Sequence, residues 1–308
     1  MAFSLASRTA YTDQERLPLI TKAVFSARTA ALFTKQVGIK SAAALNLMDT
    51  DAALQSGTAC GWNVAGAASG TTTFTQRNIT VAPMKIQEAL CPRSLEQYWM
   101  QTQLTQGSTY DGVPFEQAYA EQKALRIAEA LENAIWSGST LVTGLLTILN
   151  AASGSTVSGN TAAISGSITT TNVISIFDNI YNRIPQAILT RNDLVIFCGW
   201  DVFRTLIGAL KSNTGVMYNQ VDLQGLADGD IIYPGTNVRV VAVPGLLGYN
   251  RLVCSYLGNF FYGTDLLSDE ERFELFWSRD NDEVRFQAAL KIGVQTAYPD
   301  LVVDWRLA

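Results

Sequence analysis

The amino-acid sequence predicts an α+β fold, and three features carry that prediction. The first is a long amphipathic helix pattern over residues 114–136, and the second is a pair of long β-hairpin patterns, at residues 56–90 and near the end of the chain. The third is a helix–strand–helix segment followed by short apolar strands. With 308 residues, 48% of them hydrophobic, the chain can bury a full core without disulfide bonds.

The chain opens with a mildly basic arm. Through Lys40 it carries six basic and two acidic residues, against sixteen and twenty-five in the remainder, although the net charge of the whole chain is -5. Residues 17–37 have apolar side chains at helical spacing and stop before Gly38, which predicts an amphipathic helix ended by that glycine. The apolar positions are Ile20, Val24, Ala27 and Ala31. The basic residues are spaced singly without interleaved aromatics, so specific nucleic-acid recognition is not expected.

Residues 56–90 predict a long hairpin. The small-residue tip AGAASG, residues 65–70, separates two segments rich in Thr, Val, Ile and aromatic residues. Each arm could run about a dozen residues, and at ~3.3 Å per residue that reaches roughly 40 Å, farther than a hairpin needs to cover its own core. We therefore expect this hairpin to contact another molecule.

Residues 114–136 give the strongest helix pattern in the chain. Pro114 suits the first turn of a helix, and Gly138 follows the last periodic residue. One face is lined by Ala124, Ala128, Leu131 and Ile135. At ~1.5 Å per residue the helix should span roughly 34 Å.

The middle of the chain predicts a mixed segment after a Ser/Gly-rich tract at residues 150–167. It runs as a helix (TNVISIFDNIYNRI), a strand (DLVIFCG) and a helix (GWDVFRTLIGALK). The polar, glycine-rich residues 212–236 then predict an exposed loop, and VRVVAVPG and RLVCSYLGNFFYG predict strands of a central sheet.

The chain ends in a second long hairpin, RFELFW and then residues 283–298, joined by the turn SRDND. Apolar side chains occupy alternate positions from Val284 to Tyr298, a run of roughly 46 Å at ~3.3 Å per residue. Its length matches the helix at 114–136, so we expect the strand and the helix to lie side by side. Pro299 ends the strand and lets LVVDW turn into another sheet.

Few residues suit catalysis or cofactor binding. The chain has no histidine, no Walker loop and no GxGxxG motif, and its four cysteines form no CxxC pair. We expect those cysteines to be buried in a reducing cytosol, and we expect no cofactor, no metal and no membrane span. Paired carboxylates near Asp228 or Glu283 leave one enzymatic alternative, a carboxylate-dependent hydrolase, although acidic residues in turns are ordinarily solvated.

Several segments together carry a resemblance that covers nearly the whole chain. They are TTTFTQRNITVAPMKIQEALCPRSLEQYW, PFEQAYAEQKALRIAEALENAIWSG, LVTGLLTIL, DLVIFCGWDVFRTLI, VRVVAVPGL and the run from GNFFYG to PDLVV. In these segments the chain resembles the major capsid proteins of tailed bacteriophages, which have the Hong Kong 97 fold. The stretch ITVAPMKIQEALCPRSLEQYW is similar to one in the capsid proteins of crAss-like gut phages.

The resemblance implies a division of the chain into named parts. They are an N-terminal arm (1–55), an extended E-loop (56–90), a peripheral P-domain with the spine helix (91–145), an axial A-domain (146–265), the P-domain β-hairpin (266–298) and a strand returning to the A-domain (299–308). The loop at 212–236 would then point toward the axis of a pentamer or hexamer.

The resemblance also implies a structural role without enzymatic activity. Pentamers and hexamers of the chain would close into an icosahedral head, assembled in the host cytoplasm, around double-stranded DNA bound without sequence specificity. Portal, scaffold and decoration proteins are the other partners implied, and an encapsulin shell is the alternative within the fold. The residues expected to contact neighbouring subunits are Ile20, Val24, Trp62, Phe74, Ile79, Val81, Met217, Tyr218, Phe286 and Lys291.

Overall fold

The computed structural model describes residues 28–51, 71–91, 113–159, 167–212, 229–265, 273–278, 280–281 and 283–306. The helices in these ranges are α1 (Arg28–Leu32), α2 (Val113–Trp136), α3 (Leu145–Ala151), α4 (Val173–Asn182), α5 (Gln186–Leu189) and α6 (Trp200–Ser212). The strands are β1 (Thr34–Gln36), β2 (Ala42–Thr50), β3 (Thr72–Thr80), β4 (Ala82–Leu90), β5 (Val157–Ser158), β6 (Leu194–Gly199), β7 (Asp230–Ile232), β8 (Arg239–Val243), β9 (Arg251–Tyr256), β10 (Phe260–Gly263), β11 (Phe273–Ser278), β12 (Glu283–Thr296) and β13 (Val303–Arg306).

The central sheet has the strand order β5-β13-β9-β6-β8-β7. Its middle strand, β6, runs parallel to β8 and antiparallel to β9, and all six of its residues are buried. Alternate residues of β6 point to opposite faces, so Ile196 packs in the cluster with α4 and α6, while Phe197 packs with the end of α2 and with α3. Helices thus cover both faces, which explains why the strand is apolar without alternation.

The second sheet is organised around the 14-residue strand β12, and we call it the long-strand sheet. β4, β10 and β11 all pair antiparallel with β12, and β1 adds to the edge of β10 in parallel. The apolar side of β12 faces α2, where Phe286 and Ala288 pack with Ile127. The expectation that the long strand and the long helix lie side by side is confirmed.

The strands β2 and β3 form a separate two-stranded hairpin, in register from Ala42 opposite Thr80 to Thr50 opposite Thr72. The hairpin crosses the long-strand sheet where Gly263 and Gly293 are paired between β10 and β12. A Cβ added to Gly293 would overlap the Thr80 carbonyl, and one added to Gly263 would lie 2.8 Å from Ile79 Cδ1. Two glycines facing each other therefore allow the close approach of the hairpin to the sheet.

Other expected elements are also confirmed. The helix expected at 114–136 is α2, the mixed segment gives α4, β6 and α6, and the final hairpin is β11 and β12. After a 3₁₀ turn at Pro299–Leu301, the chain leaves the long-strand sheet and β13 joins the central sheet between β5 and β9. The long strand ends at Thr296, two residues before the predicted end at Tyr298, and Pro299 begins the 3₁₀ turn that follows.

The structure corrects the end of the first helix. The helix expected over residues 17–37 ends at Leu32, because Thr34–Gln36 form β1 on the edge of β10. Gly38 does have a left-handed backbone, with φ of 81°, but its N–H bonds to the Asp265 carbonyl at 2.5 Å and does not end a helix. The helical part of the prediction up to residue 27 lies outside the described residues.

The pairing expected for the first hairpin is also corrected. β3 pairs with β2, which ends at Thr50, upstream of the predicted start at residue 56. The segment after β3 belongs to the long-strand sheet, since β4 pairs with β12. The predicted tip at 65–70 lies outside the described residues.

Two further element boundaries differ from the prediction. The loop expected at 212–236 contains β7 at its end, and residues 213–228 lie outside the described residues. The run RLVCSYLGNFFYG is two strands in different sheets, because a 3₁₀ turn at Leu257–Asn259 redirects the chain between β9 and β10.

Candidate assembly surfaces

The β2–β3 hairpin presents an exposed face that carries an apolar pair. Met48 and Phe74 are directly opposite each other in the ladder, and they are 57% and 76% exposed. The alternate positions on the same face are small or polar and largely exposed: Ala42, Ala44, Asn46, Thr50, Thr72, Gln76, Asn78 and Thr80. Two large apolar side chains at one point of a polar face form a candidate contact site for another molecule.

The opposite face of the hairpin is covered by its own chain near the crossing, while Asp49, Thr73 and Thr75 on that face are exposed. Ile79 and Val81 are 0% and 4% exposed and pack with Ile39 and Leu45 at the crossing over the paired glycines. Both residues were expected to contact a neighbouring subunit. Because their side chains already lie inside this small core, we remove them from the candidate surface.

Phe286 and Lys291 on β12 also have partners within the chain. Phe286 is buried between β12 and α2, and the ammonium group of Lys291 is paired with the Asp265 carboxylate. Phe286 therefore belongs to the core between the long strand and the long helix, and Lys291 joins β12 to the end of β10. Of the ten residues predicted to make assembly contacts, Phe74 is the exposed one among those described.

The remaining predicted contacts fall outside the described residues. These are Ile20, Val24, Trp62, Met217 and Tyr218. Met48 was not predicted, and alternation alone could not find it, because its exposure depends on which face of the hairpin packs at the crossing with the long-strand sheet. Leu141 and Ile232, at 63% and 62% exposure, are further apolar side chains that the described surface leaves uncovered.

The hairpin is fixed to the rest of the chain at its base. The Gln295 amide donates to the Asn78 carbonyl at 2.7 Å, and the Tyr298 hydroxyl donates to the Met48 carbonyl at 3.4 Å. Both donors sit at the end of the long strand and just beyond it. Met48 and Phe74 are therefore presented on a supported β-ladder.

A buried polar cluster lies where α1 meets the end of α2. The Thr29 N–H and hydroxyl donate to the two oxygens of Glu132, and the Trp136 indole donates to the Thr29 hydroxyl. All three residues are 0% exposed. Burial raises the pKa of Glu132 to about 7, against the lowering effect of the Thr29 hydrogen bonds and the nearby Arg28 charge. Sequence alone could have flagged Glu132, which stands four residues after Ala128 on the apolar face.

The carboxylates considered for hydrolysis do not form a catalytic pair in the described part of the chain. Asp230 is held by the Arg239 guanidinium, whose Nε donates at 2.7 Å. Hydrogen bonds from Arg285 and Asn281 hold the pKa of Glu283 below its usual value, opposite to what a general acid requires. Asp228 lies outside the described residues.

The described cysteines differ in their burial. Cys198 and Cys254 are buried, as expected, and burial raises the pKa of both thiols, that of Cys254 to about 12. Cys91 is exposed at the end of β4, so the expectation of burial was wrong there, while Cys60 is not among the described residues. The two buried thiols lack the thiolate character that nucleophilic catalysis needs.

The described residues contain no group of three or more acidic or cysteine side chains placed to hold a metal ion. Within the same ranges, no helix combines the length and the apolar character that crossing a bilayer requires.

Solved structures share this fold over nearly the whole chain. A chain from Mycobacterium phage Adephagia superposes with a TM-score of 0.63 at 10% identity, covering 96% of this chain and 94% of that one. The capsid of cyanophage P-SCSP1u gives 0.58 at 13% identity, with 97% and 93% covered. The capsid of the native GTA particle gives 0.56 at 14% identity, with 99% and 95% covered.

No family model matches the sequence, and no curated protein matches it. At 10–14% identity the structural likeness establishes the fold. The chain has the mixed helix and sheet fold of phage capsid proteins.

Proposed function

We propose that this chain is the major capsid protein of a tailed bacteriophage, built on the Hong Kong 97 fold. Many copies form pentamers and hexamers that close into an icosahedral head around packaged double-stranded DNA. The observation that carries the proposal is the likeness to capsid chains, which extends over 97–99% of this chain.

The described elements support a division into the parts that this fold uses. The β2–β3 hairpin is the E-loop, and it starts at residue 42. Helix α2 with β4, β11 and β12 is the P-domain, and the central sheet with α4 and α6 is the A-domain. The described part of the N-terminal arm begins at Arg28.

Met48 and Phe74 are the part of the E-loop that contacts a neighbouring subunit. Burying a large apolar side chain contributes roughly 1.5–3 kcal/mol, so one such pair makes a modest contact. Repeated around every subunit of a closed shell, modest contacts give a stable particle while single subunits stay soluble during assembly.

The proposed role needs no catalytic residue and no cofactor. The shell locates the protein in the virion, after assembly in the host cytoplasm, with portal, scaffold and decoration proteins as further partners. DNA would be enclosed without sequence-specific contacts, which is compatible with a net charge of -5.

Sedimentation and electron microscopy of the purified protein test the proposal directly. We expect hollow particles, or capsomers that convert into particles when phage scaffold is added. A protein that stays monomeric under every assembly condition, including with scaffold, would contradict the proposed function.

The assembly contact is tested by two substitutions at one position. Phe74→Gln removes the apolar ring, whereas Phe74→Leu keeps an apolar side chain as a matched control. We expect Phe74→Gln to fold as a subunit but to lose particle yield at least severalfold, and Phe74→Leu to retain most of it. Equal particle yields from the two variants would exclude Phe74 as a contact.

A further inference from the structure

Helix α1 is held at a point where three parts of the chain meet. The Arg28 guanidinium donates to the carbonyls of Gly229 and Ala242 at 3.3 and 3.2 Å, and it lies 3.5 Å from the Asp230 carboxylate. Gly229 and Asp230 directly follow the segment 213–228. The first described residue of the arm therefore contacts the base of that segment.

The next residue attaches α1 to the long helix. The Thr29 N–H donates to Glu132 Oε1 at 2.5 Å, and the Thr29 hydroxyl donates to Oε2 at 2.6 Å. The hydroxyl also accepts from Trp136 Nε1 at 2.8 Å. One threonine thus meets both oxygens of a carboxyl group that is fully enclosed.

The enclosure depends on α1 being in place. On the other side, a Cβ added to Gly245 would lie 2.6 Å from the Glu132 carbonyl, so the 3₁₀ turn Pro244–Leu246 packs tightly against α2. Phe33 completes the cover by packing with Trp136 and Phe197. If α1 moved away, the Glu132 carboxyl would meet water.

Few charges surround this carboxyl group. In the described residues, α3 (Leu145–Ala151) and the 3₁₀ turn Pro244–Leu246 contribute no charged side chain. Arg28 faces it from α1, and Arg28 is itself engaged with Asp230, which Arg239 also holds. On α2, Glu129 is one turn away and paired with Arg126 at 2.8 Å. Burial therefore dominates, and it raises the pKa of Glu132 to about 7.

We propose that Arg28 and Thr29 form a proton-sensitive latch, in which docking of α1 against the long helix, and against the base of segment 213–228, is coupled to protonation of Glu132. The docked state binds the proton more tightly than the open state, because only the docked state buries the carboxyl group. On protonation, Oε1 still accepts from the Thr29 N–H, and the hydrogen bond at Oε2 reverses, so that the carboxyl O–H donates to the Thr29 hydroxyl oxygen. Docking is therefore strongest below the ordinary pKa of a glutamate and weakens as the pH rises through about 7.

The difference between the docked and open pKa of Glu132 sets how strongly pH changes the docking equilibrium of α1. With a docked pKa of about 7 and an open value of 4.5, raising the pH from 6 to 8 shifts the docking equilibrium about tenfold toward the open state. Through Arg28, the same opening reaches the base of segment 213–228. The latch acts within one subunit, so it does not depend on the proposed function.

Amide hydrogen exchange on the full chain, as unassembled subunits at pH 6 and pH 8, tests the latch. After correction for intrinsic exchange rates, protection of the Thr29 amide should fall about tenfold at pH 8. The Ala242 amide, which donates to the Gly229 carbonyl at 2.8 Å, should lose protection with it. Amides of the β6–β9 ladder serve as the internal control and should not change.

Two variants separate the proton effect from a general loosening. Glu132→Gln keeps the size and an acceptor but cannot titrate, so its Thr29 protection should be the same at both pH values. Arg28→Gln removes a charge that favours the ionised carboxyl, so opening should move to higher pH and Ala242 should no longer follow Thr29. A tenfold pH effect that persists in Glu132→Gln, or constant protection in the unmodified chain, would overturn the proposal.

Discussion

The central sheet and the β2–β3 hairpin are both built from β-strands, yet they complete their packing in different ways. Every residue of β6 is buried, with α4 and α6 on one face and α2 and α3 on the other. In the hairpin, Ile79 is buried on one face, while Met48 and Phe74 remain exposed on the other. The core residues of the central sheet are therefore covered within the chain, whereas Met48 and Phe74 on the hairpin are left exposed by the residues that the structure describes.

Under the proposed function, this difference separates residues that stabilise the folded subunit from residues that would stabilise contacts between subunits. Burying the side chains of β6 contributes to folding of the subunit. Under the proposed function, burial of Phe74 would contribute to the association of subunits and not to the folding of one subunit. Substitutions in the two regions should separate these two free energies.

The largest contrast should come from removing one phenylalanine ring in each region. Phe197→Ala leaves a cavity among Phe33, Trp136 and Phe260, and we expect it to lower the free energy of unfolding by about 3–5 kcal/mol. Phe74→Ala should change it by no more than about 0.5 kcal/mol. Urea denaturation followed by tryptophan fluorescence measures both, and equal losses would show that the hairpin face is covered within the chain.

The second contrast concerns ion pairs. Arg251 and Asp304 join β9 to β13 through two hydrogen bonds of 2.8 Å, with side chains only 9% and 3% exposed. Asp304→Asn leaves the buried guanidinium without its counter-charge, so we expect a loss of about 3 kcal/mol in the free energy of unfolding. The exposed pair Arg191–Asp193 has similar geometry, and Asp193→Asn should cost about 1 kcal/mol or less. A loss at Asp193 as large as that at Asp304 would contradict the role given to burial.

The third comparison concerns the point where the hairpin crosses the long-strand sheet. Gly293→Ala places a methyl group against the Thr80 carbonyl, and we expect a loss of about 1–3 kcal/mol with movement of the hairpin base. Gly154→Ala is the control, because an added Cβ there meets nothing within 4 Å. Protection of the Asn78 and Thr80 region in hydrogen exchange reports the movement. Unchanged protection in Gly293→Ala would mean that the crossing can shift without loss.

The sequence predicted long, regular elements well. The period of 3.6 over residues 114–136 and the period of 2 from Val284 onward gave α2 and β12 within a few residues. Short edge strands were missed, since Thr34–Gln36 and Asp230–Ile232 carry too few residues to show a period. They are strands because neighbouring strands supply their hydrogen-bond partners.

The candidate surface was predicted less well than the fold. Phe74, Ile79 and Val81 look alike as apolar residues in a strand-rich segment, but the structure exposes the first and buries the other two. The hairpin crosses the long-strand sheet at Gly263 and Gly293, and this crossing buries Ile79 and Val81 but not Phe74. It brings together residues some two hundred positions apart in the chain. No burial was predicted for Glu132, although α1 covers it completely.

By itself, the sequence determined the identity and extent of the long elements, the apolar character of the central strands and the scarcity of catalytic groups. Those properties depend on neighbours in the chain, so local patterns reveal them. The tertiary structure decided which strands pair, which face of the hairpin stays exposed and which carboxyl group is enclosed. These depend on hydrogen bonds and contacts between distant residues, which no local pattern contains.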